Sequence, residues 1–162
     1  MTKLRQEILS LMERNGRIDL SELSVLIGEE EISVLNEIAA MEKEQIICGY
    51  HTLINWEKTN IDKVSALIEV RVTPQRGQGF DRIAERIYNF PEVTGMYLIS
   101  GAYDFMVSLD GRSLIEVSRF VTERLSTIDG VLSTATHFIL KKYKDYGTIL
   151  SPEPENEREL ML

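Results

Sequence analysis

Residues 93–109 read VTGMYLISGAYDFMVSL, and the fold turns on taking them as two strands joined through SGAYD. In YDFMVSL, Tyr103, Phe105, Val107 and Leu109 alternate onto one face, the period of two that a strand requires. Upstream lie VSALIEVRV (64–72), a strand, and FDRIAERIYNF (80–90), a helix that turns Phe80, Ile83, Ile87 and Phe90 inward. Downstream, SLIEVSRFVTERL (113–125) is a helix opened by a capping box from Ser113 to Glu116, and VLSTATHFIL (131–140) is a final strand. The order is βαββαβ, the ferredoxin-like arrangement, with both helices on one face of an antiparallel sheet.

The other sheet face should be polar in a monomer. Met106 nevertheless lies there, and around residues 93–100 both Met96 with Leu98 and Tyr97 with Ile99 are apolar pairs. A second copy of the chain is the simplest cover, so at least a dimer is expected. SGAYD itself predicts a hairpin in which Gly101 takes a positive φ. A glycine turn followed by Asp104 also offers N–H donors for a carboxylate and an acceptor for an ammonium, the two ends of a free amino acid.

The first sixty residues differ in kind. Leu4, Ile8, Leu11 and Met12 recur at helical spacing before an Asn15-Gly16 stop, which gives a helix over residues 3–14. Asp19 or Ser21 caps a second helix whose apolar face is Leu20, Leu23, Leu26 and Ile27, ended by Gly28. A third begins within three residues of that glycine, with Val34, Leu35, Ile38 and Met41 as its buried stripe, and IICGYHTLI (46–54) reads as a short strand or wing. This is the outline of a winged helix-turn-helix, whose third helix would lie in the major groove. The whole is therefore α+β: a helix-turn-helix followed by a βαββαβ domain.

Charge counts against a nucleic-acid partner, since the net charge is −8 and the isoelectric point about 4.9. Between Glu29 and Glu44 there are six glutamates and one lysine. Cys48 is the only cysteine, the first residues (MTKLRQEIL) lack an apolar signal core, and no apolar run is long enough to span a membrane, so a cytoplasmic location is expected. His51 and His137 lie far apart and Cys48 has no ligand-spaced partner, so no metal site is indicated. The Gly-x-Gly in RGQGFDR (76–82) has Arg82 where a dinucleotide loop needs its third glycine, and reads as an ordinary connection. No catalytic constellation is present, so an enzyme is not expected.

NGRI at 15–18, LSVLIG at 23–28, the helix ending in Met41-Glu42 before IICGY at 46–50, and SGAYDFMV at 100–107 together resemble the Lrp/AsnC (feast/famine) transcription regulators over residues 3–142. The resemblance implies a regulator of amino-acid metabolism genes that binds promoter DNA as dimers, often gathered into octamers, with no cofactor but a small amino acid as effector. It implies residues 1–45 for DNA reading, 46–62 as wing and hinge, 63–145 for assembly and sensing, and 146–162 as an acidic tail. It places Gly101, Tyr103 and Asp104 in an effector cleft between dimers, with hydroxyls from Ser118, Thr122, Thr134 and Thr136.

Relatives typically carry arginines in the first half of the third helix, where this chain has Leu35, Asn36 and Glu37 and, a turn later, Ala40. Ser33 keeps the family's hydroxyl. Asn36 would read an adenine edge and Glu37 would accept from a cytosine amino group. Phosphate anchoring then falls to Arg17 and Lys43 foremost, with Lys3, Arg5, Arg14 and Lys58, and Tyr50 and His51 on the wing. The rival reading is an amino-acid-binding oligomer that has lost DNA contact or works in mixed oligomers with relatives.

Overall fold

The structure is a computed structural model that describes residues 1–73 and 79–151; residues 76–78 of the Gly-x-Gly connection and the acidic tail beyond Ser151 lie outside the described residues. The chain forms two compact units, Met1–Leu53 and Ile54–Leu162. No helix of the described residues is long and apolar enough to cross a membrane.

The first unit is three helices. α1 (Lys3–Arg14) starts on Thr2, whose hydroxyl accepts the Arg5 N–H at 3.3 Å. α2 (Leu20–Ile27) starts on Asp19, whose carboxylate accepts the Glu22 N–H at 2.7 Å, and ends on Gly28 at φ 79, a left-handed conformation that a side chain would strain. α3 (Glu31–Lys43) follows directly. Ile8, Leu23, Val34 and Met41 are fully buried between the helices, each side chain contributing about 1.5–3 kcal/mol of hydrophobic burial.

Three expectations fail here. Leu26 and Leu35, assigned inward, are 58% and 46% exposed. Leu35 follows Val34 by about 100° of helical rotation, which carries it off the buried stripe. On α2 the inward position next to Leu23 belongs to Ser24, which satisfies itself by donating to the Leu20 carbonyl at 2.6 Å. The wing is the third: residues 46–54 form no strand, because a strand's N–H and C=O groups need a partner edge and this three-helix unit supplies none. Instead the N–H groups of Ile46 and Ile47 close α3 on the Met41 carbonyl, at 2.8 and 3.2 Å.

The second unit is built on β1 (Val64–Val72), α4 (Asp81–Tyr88), β2 (Val93–Leu98), β3 (Phe105–Gly111), α5 (Leu114–Phe120) and β4 (Val131–Phe138). The four strands pair antiparallel in the order β2-β3-β1-β4. Ile68 sits opposite both Val107 and Thr136, so alternate residues of β1 and β3 share one face. That face carries Ile68, Val70, Phe105 and Val107 against Ile83 and Ile87 of α4 and Val117 and Phe120 of α5. α5 opens on Ser113, whose hydroxyl accepts the Glu116 N–H at 3.1 Å, and after Phe120 the helix widens into a π turn, Val121–Leu125. A small hairpin, β5 (Lys144–Asp145) and β6 (Thr148–Ile149), turns through Tyr146 and Gly147, both at positive φ.

The opposite sheet face carries no helix. Tyr97, Met106, Glu69 and Ala135 form one cross-strand row, and Gly95, Ser108, Leu67 and His137 the next. The Tyr97 ring lies back over Gly95, where any Cβ would meet its hydroxyl at 3.2 Å. Tyr97 remains 57% exposed. Its apolar neighbours on this face, Leu67 and Met106, are half-buried, and residues 141–146 stand opposite one part of the strip across an open cleft of about 710 Å³ lined by Leu67, Gly95, Tyr97 and Ser108.

Candidate DNA-reading helix and effector loop

Arg5 sits on the inner edge of α1, between Leu4 and Ile8, and its guanidinium reaches α3. Its Nε donates to Glu37 Oε2 at 2.6 Å, and its two terminal nitrogens donate to Glu44 at 2.7 and 3.0 Å. Glu37 therefore faces α1. Its carboxylate is paired with Arg5 rather than left free to accept from a base. Arg5, its side chain only 19% exposed, is likewise paired within the unit. The hydrogen bonds to Glu44 and then Glu37 drive the Arg5 pKa further up, and those from Arg5 hold Glu44 below the usual carboxylate range.

A carboxyl whose folded pKa is depressed stabilises the fold above its unfolded pKa, and that contribution is lost as pH falls through the folded value. The melting temperature of the helical unit, followed by circular dichroism, is therefore expected to drop as pH falls below the ordinary glutamate value of about 4.3. Glu44→Gln should make that acid limb shallower; an unchanged limb would show that the Arg5–Glu44 pair is not formed in solution.

Glu42 is also held, by the Tyr50 hydroxyl at 2.7 Å; burial first and this carboxylate second push the Tyr50 pKa up. Glu29, Glu30 and Glu31 gather at the N-terminus of α3, where the helix dipole favours negative charge. What remains on the outward middle of α3 is Ile32, Leu35, Asn36, Ala39 and Lys43, all exposed, with Ser33 half-buried at its flank. Arg17 is exposed in the turn before α2, and His51 is exposed beyond Gly49. Among the described residues, Arg17 and Lys43 have no ion-pair partner. The six glutamates between Glu29 and Glu44 are thus either paired, with Arg5 or Tyr50, or gathered at the N-terminus of α3. Nothing in composition showed this; the legible signal was the position of Arg5 on the inward arc of α1.

The connection through SGAYD is longer than expected. β2 ends at Leu98 and β3 begins at Phe105, so six residues, 99–104, connect them. β2 and β3 do form a hairpin, but Gly101 is not among the positive-φ glycines, which corrects the expected turn conformation; a Cβ there would meet only Ile99 Cγ2, at 3.6 Å. Asp104 braces the end of the sheet. Its N–H donates to the Val70 carbonyl at 3.1 Å, its carbonyl accepts from Ile99 at 2.7 Å, and Oδ2 accepts the Val72 N–H at 2.8 Å. Val72 is where the β1–β4 register slips, so Asp104 satisfies a donor that the bulge would leave open.

Val70 pairs with Phe105 on one side and with Thr134 on the other, so Asp104, one residue before Phe105, lies across β1 and one position away from Thr134. Thr134 shares a hydrogen bond with Ser126 at 3.2 Å, Thr136 follows on the same face, and Tyr103 is half-buried beside Asp104. Ser118 and Thr122 instead lie on the outward side of α5, where Thr122 donates to the Ser118 carbonyl at 3.0 Å and both line an open groove of about 340 Å³ with Leu114 and Ile115. Within one chain the structure brings Asp104, Tyr103 and Thr134 to one end of the sheet and leaves Ser118 and Thr122 apart from them.

A helix-turn-helix unit followed by a ferredoxin-like unit with one bare sheet face defines a class of two-part regulators. The Lrp/AsnC ligand binding domain profile matches residues 65–149. An uncharacterized HTH-type transcriptional regulator of Bacillus subtilis, YugG, is 44% identical over 159 residues, covering 98% of this chain and 96% of that one. An uncharacterized HTH-type transcriptional regulator of Pyrococcus horikoshii is 31% identical over 147 residues, covering 91% and 90%. Among solved structures, a transcriptional regulator of Neisseria meningitidis in complex with L-Met superposes with a TM-score of 0.70 at 24% identity, covering 90% of this chain and 93% of that one. The chain belongs to the Lrp/AsnC family of transcriptional regulators.

Proposed function

We propose that this regulator binds promoter DNA through α3 and answers an apolar amino acid held at the 101–104 loop. The single observation that carries the reading is the pairing of Arg5 with Glu37 and Glu44, which neutralises two of the six glutamates between Glu29 and Glu44 on the α1 side of α3. Asn36 and Ser33 then read base edges while Arg17, Lys43 and His51 meet phosphate or its surroundings. Arginine-poor heads neutralise few phosphates, so each binds weakly with a shallow salt slope. Dimers formed over the bare sheet face, closed further into octamers, set several heads on one duplex and raise the effective concentration of the next contact.

For the effector, backbone N–H groups around Gly101 face the carboxylate and the remaining Asp104 oxygen faces the ammonium, with Tyr103, Thr134 and Thr136 beside them. Ser118 and Thr122 reach this ligand only from a neighbouring dimer. The Neisseria regulator's L-Met supports an apolar side chain. Residues 1–45 serve as the DNA head, 46–62 as the hinge and 63–145 as the sensor.

Thermal shift against the twenty amino acids tests the sensing half. A specific ligand at a hundredfold its Kd stabilises the fold by about 2.7 kcal/mol. Asp104→Asn keeps an oxygen for the Val72 N–H yet removes the charge, so it should abolish the ligand-induced rise while retaining the unliganded melting point. Selection of duplexes from a random pool, followed by mobility shift at low and moderate salt, tests the DNA half. The rival reading, a sensor without DNA contact, rests on the −8 net charge and predicts amino-acid binding with no enriched duplex.

A further inference from the structure

The outward face of α3 presents Ile32 at 60% exposure and Leu35 at 46%, with exposed Asn36 and Ala39 between the same turns. Residues at i, i+3, i+4 and i+7 share one side of a helix, so these four form a continuous strip. Scattered apolar side chains on a surface need no explanation; a strip aligned on the reading helix of a helix-turn-helix does. Its polar surroundings are also ordered. Glu37 and Glu44 are paired with Arg5 of α1 and Glu42 with Tyr50, while among the described residues Lys43 stands without an ion-pair partner one turn beyond Ala39 and Arg17 likewise in the turn before α2. A duplex offers phosphates to these cations, a groove floor to the strip and a base edge to Asn36.

The major groove floor carries one apolar group, the 5-methyl of thymine, and one base edge that asparagine matches with two hydrogen bonds, that of adenine. We infer that Ile32 and Leu35 contact thymine methyl groups, flanking an adenine read by Asn36, so that this regulator selects runs of A·T pairs mainly by apolar contact. The inference rests on the DNA-reading function proposed above and specifies its sequence class. It also explains how a reading helix without arginine can discriminate: a methyl contact needs no counter-charge and is equally strong in high salt.

The test uses the full-length chain and the duplexes it enriches from a random pool. Each is remade with deoxyuridine for thymine, which deletes only the 5-methyl group. Replacing a contacted thymine should weaken binding roughly fourfold per methyl, the value of one buried methylene. In Leu35→Ala the penalty at its own thymine should vanish, while in Arg17→Ala it should persist on top of a uniformly weaker affinity. Melting of Leu35→Ala, whose side chain lies outside the core, verifies that the head is folded. Equal binding of the thymine and deoxyuridine duplexes, or enriched sites without A·T preference, overturns the inference but leaves DNA binding intact. A change in oligomer size on Leu35→Ala overturns it in favour of a protein contact. No enrichment at all overturns the proposed function and this inference with it.

Discussion

Leu23→Ala is expected to unfold the helical unit near room temperature while the sheet unit stays folded. Truncating a fully buried leucine costs about 2–5 kcal/mol, the upper end where neighbours cannot collapse into the space. Here the neighbours are few. Ile8, Val34 and Met41 are the other fully buried side chains of the unit, one on α1 and two on α3, and Leu23 is the contribution of α2 between them. A unit of 53 residues buries a smaller fraction of its surface than a full-sized domain, so it holds little stability in reserve. The sheet unit has its own core, centred on Ile68, Val70, Val107 and Leu125, and Leu23 has no part in it. Far-ultraviolet circular dichroism should therefore show a partial loss of helix, duplex retardation should disappear, and the oligomer seen by sedimentation should remain. One coincident transition for both units would show instead that the chain folds as a single cooperative body.

What the sequence discloses follows from periodicity, and what it conceals depends on contacts across long stretches of chain. The alternation in YDFMVSL, the caps at Asp19 and Ser113 and the stop at Gly28 are local signals, and each appears in the structure within a residue or two. Leu26 and Leu35 went astray because a hydrophobic stripe read by residue type cannot say where the helix axis points. The Arg5–Glu37 pair joins residues 32 apart in sequence, so the charge pattern of α3 was visible but its direction was not. At the loop, a glycine followed by an aspartate implied a tight turn. The backbone takes six residues because Asp104 is committed to the β1 bulge at Val72. The strand expected at 46–54 illustrates the same limit from the other side, since β-forming residues make no strand without an edge to pair with.

Met106→Asp is expected to turn the assembled protein into folded monomers and, through that alone, to abolish retardation of duplex DNA. Met106 lies on β3 between Tyr97 and Glu69, in the centre of the face that bears no helix. Its side chain takes no part in the core beneath, so an aspartate there meets water in the monomer, and its place opposite Glu69 should cost the isolated chain no more than about 1 kcal/mol. In a two-fold dimer over this face the substitution counts twice, once from each copy. An unpaired carboxylate taken into an interface costs several kcal/mol, so two of them should weaken dimerisation on the order of 10⁴-fold. DNA binding falls because one arginine-poor head then holds alone, without the roughly 10²-fold or greater gain from a tethered second contact. Sedimentation velocity and mobility shift on the same sample separate the steps. A monomer that still retards DNA would mean that single heads suffice. A dimer that persists would mean that the bare face is not where copies meet, and the reach of Ser118 and Thr122 toward a neighbour's loop would lose its basis.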